Sequence, residues 1–271
     1  MTIPLNQIIG MPAYSPYYPM PPALYRHAKF HFVYFHADPL AIDRILPECF
    51  TQIDQGICVA IGISIPWSAN YRAFEESVVT VPCAFEGQAG YFTPAVFLNS
   101  RSSIPAGREI YGTPKVFAGH HREYGWTCND NRHQAGWRIC TEYTFDNASI
   151  SIHRWQACSK PNWRLKVIPR AGDKGVDVMQ LIDVSDVITD VKVHVCRSGD
   201  GVVGFEPTLV FDLWFFIPIS FTDAWYLEMD FTEEYGKIIK DFLVDWLQMI
   251  NSWIKLLISY NLWWVSENSL S

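Results

Sequence analysis

Lys115 follows a proline-punctuated turn, Thr113-Pro114, and opens an apolar run, Val116-Phe117-Ala118. An ammonium at such a place is hard to solvate, and burial disfavours the charged form of an amine. A neutral lysine amine attacks carbonyl carbon, so the chemistry within reach of this residue is Schiff-base formation with a carbonyl substrate. The bland reading is a lysine that lays its stem over apolar surface and keeps its head in water, which on local sequence alone is the commoner fate.

Other side chains offer supporting chemistry. Glu76, in Phe74-Glu75-Glu76-Ser77, is a carboxylate able to orient substrate or shuttle a proton, with Glu75 as its possible substitute and a solvated loop residue as the plain alternative. Arg108 and Glu109 are adjacent, so on a strand they point to opposite faces and only one can face a cavity; the other role open to them is a buried ion pair bracing the turn before Lys115. Tyr111, Phe117 and Trp126 lie near the lysine in sequence and either line a pocket or belong to the core. His27 and His31 have the spacing of a zinc helix, but Ala28 stands where that motif has glutamate and the segment reads as strand, so no metal site is expected. His120 and His121 read as barrel-surface or pocket-wall residues. Gly-x-Ser-x-Gly and Gly-x-Gly-x-x-Gly do not occur, which leaves serine hydrolysis and dinucleotide binding without support.

These residues need a scaffold, and the composition supplies one. The chain has 271 residues, 49% apolar and 18% charged, enough for a packed core in one large domain over 1–271. Its net charge of -7, with basic residues scattered, gives no field for a phosphate backbone, so nucleic acid is not an expected partner. The seven cysteines are odd in number and lack any Cys-x-x-Cys, as befits buried thiols in a reducing compartment. The N-terminus has no basic start and no apolar stretch before its prolines, so a cytoplasmic location is the default. Asn147-Ala148-Ser149 fits a glycosylation sequon but reads as a turn.

Five prolines between 11 and 23 predict an extended surface arm. Phe30 to Phe35 then reads as a strand and Pro39 to Leu46 as a short helix. From Cys58 to about Val195, runs such as CVAIGISI, SVVTVPCAF, GYFTPAVFL, GWRICTEYTF, ASISIHRW, RLKVIP and DVITDVKVHV alternate with turn signals. They predict a mainly β, α+β fold: an antiparallel sheet curled into a barrel, with short peripheral helices. The barrel core is expected over 11–210. Residues 211–271 read as an apolar strand and a Trp-rich helical tail, helical from Phe231 to Trp264. Lys240, Asp241, Asp245 and Lys255 interrupt its apolar spacing, so it reads as a helix packed on the barrel or on a second subunit of a homo-oligomer, and no membrane span is expected.

The segment Gly107-Arg108-Glu109 through Pro114-Lys115 resembles the Gly-Arg-Glu…Pro-Lys signature of the acetoacetate decarboxylase superfamily. Lys160-Pro161-Asn162-Trp163-Arg164-Leu165-Lys166-Val167-Ile168-Pro169 and Ile188-Thr189-Asp190-Val191-Lys192-Val193-His194 are similar to two further blocks of that family, so the likeness spans roughly residues 12 to 210. The resemblance implies that Lys115 is the Schiff-base residue and that Glu76 is an active-site glutamate. It also implies an N-terminal carboxylate anchor near Arg26 or His27. Two departures stand out. Val116 occupies the place of a second lysine, and Ile61 or a neighbour that of a strand glutamate.

The chemistry so implied is that of a lyase: Lys115 condenses with a β-keto acid, the imine accepts the electrons as CO₂ leaves, and no cofactor or metal is needed. The alternative keeps the imine and changes the reaction to aldol condensation, dehydration or cyclisation of a larger, secondary-metabolite-type carbonyl compound, which Val116 and Ile61 favour. A non-covalent binding or cyclising protein on the same fold is the third reading.

Overall fold

The computed structural model describes residues 3–53, 56–118, 137–142, 161–205 and 217–244. His120, His121, Trp126, Asn147, the expected strand ASISIHRW, residues 206–216 and the tail from 245 lie outside the described residues.

Thirteen strands follow one another among the described residues. They are β1 (Ala23–Ala37), β2 (Thr51–Gln52), β3 (Cys58–Ile65), β4 (Trp67–Ser68), β5 (Phe74–Phe85), β6 (Gln88–Leu98), β7 (Lys115–Phe117), β8 (Trp137–Glu142), β9 (Asn162–Pro169), β10 (Val176–Asp183), β11 (Ile188–Phe205), β12 (Pro218–Glu233) and β13 (Lys237–Asp241). Helix α1 (Pro39–Ile45) starts where Asp38 accepts from the Leu40 N–H at 2.9 Å and Pro39 fits the first turn. Helix α2 (Ser103–Ala106) runs straight into a π-helical turn, Gly107–Tyr111.

The strands form one sheet in the order β13-β10-β9-β6-β5-β3-β1-β12-β11-β8, with β2 on β5, β4 on β1 and β7 on β6. Pairing is antiparallel except where β6 meets β7 and β9. Glu86 and Gly87, both at positive φ, make the two-residue hairpin between β5 and β6. Among the described residues the path has two ends: the mainly β expectation holds, and the sheet is mixed and not closed.

Both faces of the central strands are covered. Along β1, Val33, Phe35 and Ala37 enter one apolar layer, which also holds Trp163 and Leu181. Phe30 and Phe32 point the other way, into a layer shared with Tyr25, Phe74, Val78, Met229 and Phe231. Period-two alternation between two cores explains why the strand reads as a nearly continuous apolar run.

Two expectations are corrected here. Phe231–Glu233 and Lys237–Asp241 are strand, joined by a short irregular link, not helix: Leu227, Met229 and Phe231 alternate into the second core while β12 pairs with β1 and β11, and β13 pairs with β10. Tertiary pairing overrides a helical spacing of charges. Arg108 and Glu109 lie in the π-helical turn, so they do not alternate across a strand.

Candidate active site

The second core layer ends in polar groups. Phe74 and Val78 belong to it, and Glu76 between them faces the same way by strand alternation. Leu227, Met229 and Phe231 do the same on β12, and the next position on that face is Glu233. Glu76 is buried and Glu233 is half-buried with its carboxyl withdrawn from water, and into the space beside them comes the side chain of Lys115.

Lys115 sits at the first position of β7, in parallel register with Val96 of β6. Its Nζ is 3.0 Å from Glu76 Oε2 and donates to Ser103 Oγ at 2.9 Å, and only 13% of its side chain is exposed. Ser103, at the start of α2, is itself buried. The stem of the lysine crosses Gly107: a Cβ there would stand 2.4 Å from Lys115 Cδ and 2.6 Å from Cε. The glycine of the Gly-Arg-Glu segment is thus required by the lysine it precedes. Gly112, at φ 70°, ends the π-helical turn in the left-handed region, and any Cβ there would meet the Lys166 backbone at 2.6 Å.

The remaining motif residues brace this turn. Arg108 is exposed, and its Nη1 donates to the backbone carbonyl of Lys115 at 3.2 Å. Glu109 accepts from the Tyr18 hydroxyl. Tyr111 is buried and its hydroxyl donates to the Glu234 carbonyl at 2.9 Å, tying the turn to the end of β12.

Two residues without a sequence-derived role complete the group. Glu233 accepts from the Tyr25 hydroxyl at 2.7 Å. Burial raises its carboxyl above the usual range, against the opposing pull of Lys115, the Tyr25 hydrogen bond and Arg164, while Glu76 adds to the rise. Glu233 is therefore a carboxyl biased toward its protonated form beside a lysine. Arg164 alternates away from Trp163 on β9 and is buried; desolvation lowers its guanidinium to about 10 against the attraction of Glu76, Glu233 and Asp183. Its Nη1 donates to the Asn162 side chain and, at 3.2 Å, to the Trp163 carbonyl, while its buried Nε has no hydrogen-bond partner among the described residues.

The structure thus brings Lys115 and Glu76 together and separates Arg26 and His27 from them. Arg26 is exposed and donates to the Tyr25 carbonyl at 2.9 Å. His27 is exposed and lies 2.8 Å from Glu228, which by alternation points from the face of β12 opposite Glu233. Ile61 packs against the second core, and Val116 is half-buried. A cavity of about 200 Å³ between Ile45, Phe92, Pro94, Pro114 and Leu165 touches the turn but is lined by none of Lys115, Ser103, Glu76, Glu233 or Arg164. No helix among the described residues is long and apolar enough to cross a membrane.

Glu233 could have been found in sequence as the one acidic position continuing the Leu227, Met229, Phe231 alternation. Reading the segment from Phe231 as helix hid it. Ser103 carries no such signal.

A largely buried lysine held between a serine and a glutamate, on an open two-cored sheet, defines a protein with a lysine-centred site in an acetoacetate decarboxylase-like fold. A model of the acetoacetate decarboxylase (ADC) family matches residues 9–243, and the chain belongs to that family. An acetoacetate decarboxylase of Bordetella avium is 26% identical over 238 residues, covering 86% of this chain and 95% of its own length. One of Chromobacterium violaceum is 25% identical over 242 residues, covering 88% and 96%. The acetoacetate decarboxylase structure from Legionella pneumophila superposes with a TM-score of 0.70 at 22% identity over 87% of this chain and 95% of its own. The enduracididine biosynthesis enzyme MppR, bound to the condensation product of pyruvate and imidazole 4-carboxaldehyde, does so at 0.69 and 16% identity over 86% and 97%.

Proposed function

We propose that the protein is a lyase that decarboxylates a β-keto acid through an imine on Lys115. The observation that carries this reading is the position of Lys115 Nζ, 3.0 Å from Glu76 and 2.9 Å from Ser103 within a largely buried site. Proton transfer from Nζ to the Glu76 carboxylate leaves a neutral amine, which adds to the ketone carbon of the substrate. Loss of water gives an iminium. The electron pair of the breaking carbon–carboxylate bond flows into it, CO₂ departs and an enamine remains. A carboxylic acid then protonates the enamine carbon, and water releases the ketone and restores the lysine. Glu233, held toward its protonated form by burial, is suited to that donation, and Arg164 supplies positive charge within reach of a substrate carboxylate.

A second reading keeps the imine and replaces decarboxylation by aldol-type condensation or dehydration. Val116 and Ile61 favour it, because neither the second cation nor the strand carboxylate of the decarboxylases is present at those positions. MppR, bound to pyruvate and to a pyruvate condensation product, shares the fold with that second chemistry in its ligands.

Borohydride reduction in the presence of acetoacetate or pyruvate, followed by peptide mass mapping, tests both. A reduced adduct on Lys115 supports the imine; turnover of either compound with no adduct on Lys115 removes it. CO₂ evolution without a coupled product selects decarboxylation, and a coupled or dehydrated product selects the second reading.

A further inference from the structure

His27 and His194 occupy matched irregularities on either side of β12. In the β1–β12 ladder, Tyr25 pairs with Phe231 and Ala28 with Met229, so Arg26 and His27 together oppose Asp230. In the β11–β12 ladder, Val193 pairs with Met229 and Val195 with Glu228, so His194 is the extra residue. Each bulge turns a histidine toward the same point of the strand between them, which is the established use of a bulge: re-aiming one side chain. His27 does so at φ 52°, in the left-handed region that a non-glycine residue adopts at a cost.

At that point β12 presents Asp230 and Glu228. Asp230 Oδ1 accepts the His27 backbone N–H at 2.8 Å and lies 2.9 Å from His194 Nε2. Glu228 Oε1 lies 2.8 Å from His27 Nδ1, while its other oxygen accepts from the Tyr226 hydroxyl at 3.2 Å. The two imidazole rings stack with centroids 4.7 Å apart. A nitrogen of each histidine and an oxygen of Asp230 all lie within 4.8 Å of one another.

We propose that His27, His194 and Asp230 form a surface site for a first-row divalent cation of the zinc type, with Glu228 as the carboxylate beside the His27 ring. Two imidazoles and one carboxylate match zinc and its neighbours and not calcium or magnesium, which take all-oxygen shells. Tetrahedral ligands at the usual bond lengths stand roughly 3.3 Å apart, so side-chain rotation alone closes the cluster. His27, with 60% of its side chain exposed, gives the ion its entry, while His194, Asp230 and Glu228 are the better-shielded members. Three protein ligands leave a coordination position for solvent. Because the ligands come from three neighbouring strands, the ion clamps β1 and β11 onto β12. This face is opposite that of Glu233, and the site is independent of the lysine chemistry.

The test is calorimetric titration of the chelator-treated full chain with zinc at pH 7.5, supported by the visible absorption of cobalt(II) bound in its place. One saturable equivalent is expected, together with a melting-temperature rise of roughly 5 °C at a hundredfold excess over Kd. His194→Gln and Asp230→Asn retain hydrogen-bonding side chains of similar size, and each is expected to weaken zinc at least tenfold, while His36→Ala leaves the affinity as it was. No saturable binding to the parent chain, or unchanged affinity in either ligand variant, overturns the proposal.

Discussion

The stem of Lys115 lies across residue 107 so closely that a Cβ there would stand 2.4 Å from Lys115 Cδ, a contact only glycine permits. The backbone of Gly107 is nevertheless helical, at φ -61° and ψ -41°, and suits alanine. Gly107→Ala therefore separates chemistry from folding. Turnover is expected to fall about a hundredfold or more, as it does when a reacting group is displaced by about an ångström. The melting temperature should move only a few degrees, since a helix-propensity gain of about 1 kcal/mol offsets an overpacking cost of about 1–3 kcal/mol. Steady-state rates and a thermal melt check both halves; undiminished turnover would show that Lys115 does not act from this position.

Glu76 and Ser103 both touch Lys115 Nζ but do different work in the proposed mechanism. Glu76→Gln keeps the volume and removes the proton acceptor, so turnover and the rate of borohydride trapping are expected to drop by about 10²–10⁴. Ser103→Ala removes one hydrogen bond, of about 0.5–1.5 kcal/mol, and is expected to cost about tenfold or less. Equal losses in the two variants would contradict the assignment of proton transfer to Glu76.

Much of the scaffold was readable because the strands carry their own evidence: CVAIGISI coincides with β3 (Cys58–Ile65), and a proline after a capping aspartate begins α1. Lys115 and Glu76 were readable through motif likeness, and the structure brings their side chains to 3.0 Å. Glu233, though it continues an apolar alternation, is hidden once its segment is read as helix. Arg164 was not readable, because burial of a charged residue is a property of the pairing of distant strands and leaves no mark on local composition. The same holds for His27, which sequence spacing compared with His31 although its ring stacks on His194 from β11. The π-helical turn that holds Arg108 and Glu109 is not legible in the sequence, because such a turn has no simple periodic signature.

The buried carboxyl of Glu233 gives stability a pH dependence of definite sign. Its folded-state pKa is raised, chiefly by desolvation, so the folded protein holds the proton more tightly than the unfolded chain. That contribution is fully present below the ordinary glutamate range and is lost as pH rises through the folded value. Glu233→Gln, which carries no titrating proton, is expected to gain stability relative to the parent as pH is raised from 4 to 8. Denaturant midpoints at three pH values across that range suffice, and a constant difference between the two proteins would show that Glu233 does not titrate abnormally.

Gly112 is the counterpart of Gly107, required for backbone reasons and not for contact with the lysine stem. It stands at φ 70°, and a Cβ would meet the Cα and N of Lys166 at 2.6 Å. Those are backbone atoms of β9, which β10 holds along its length and β6 pairs at its start, so they cannot yield as a flexible side chain would. A left-handed alanine costs about 1–2 kcal/mol before the clash is counted. Gly112→Ala is therefore expected to destabilise the protein by at least about 3 kcal/mol, a fall in melting temperature of roughly 6–12 °C. The two glycine variants form an opposed pair: Gly107→Ala loses turnover and keeps its melting temperature, whereas Gly112→Ala loses melting temperature first. A Gly112→Ala protein that melts with the parent would mean that the turn before Lys115 is not held against β9 in the way its close contact with Lys166 requires.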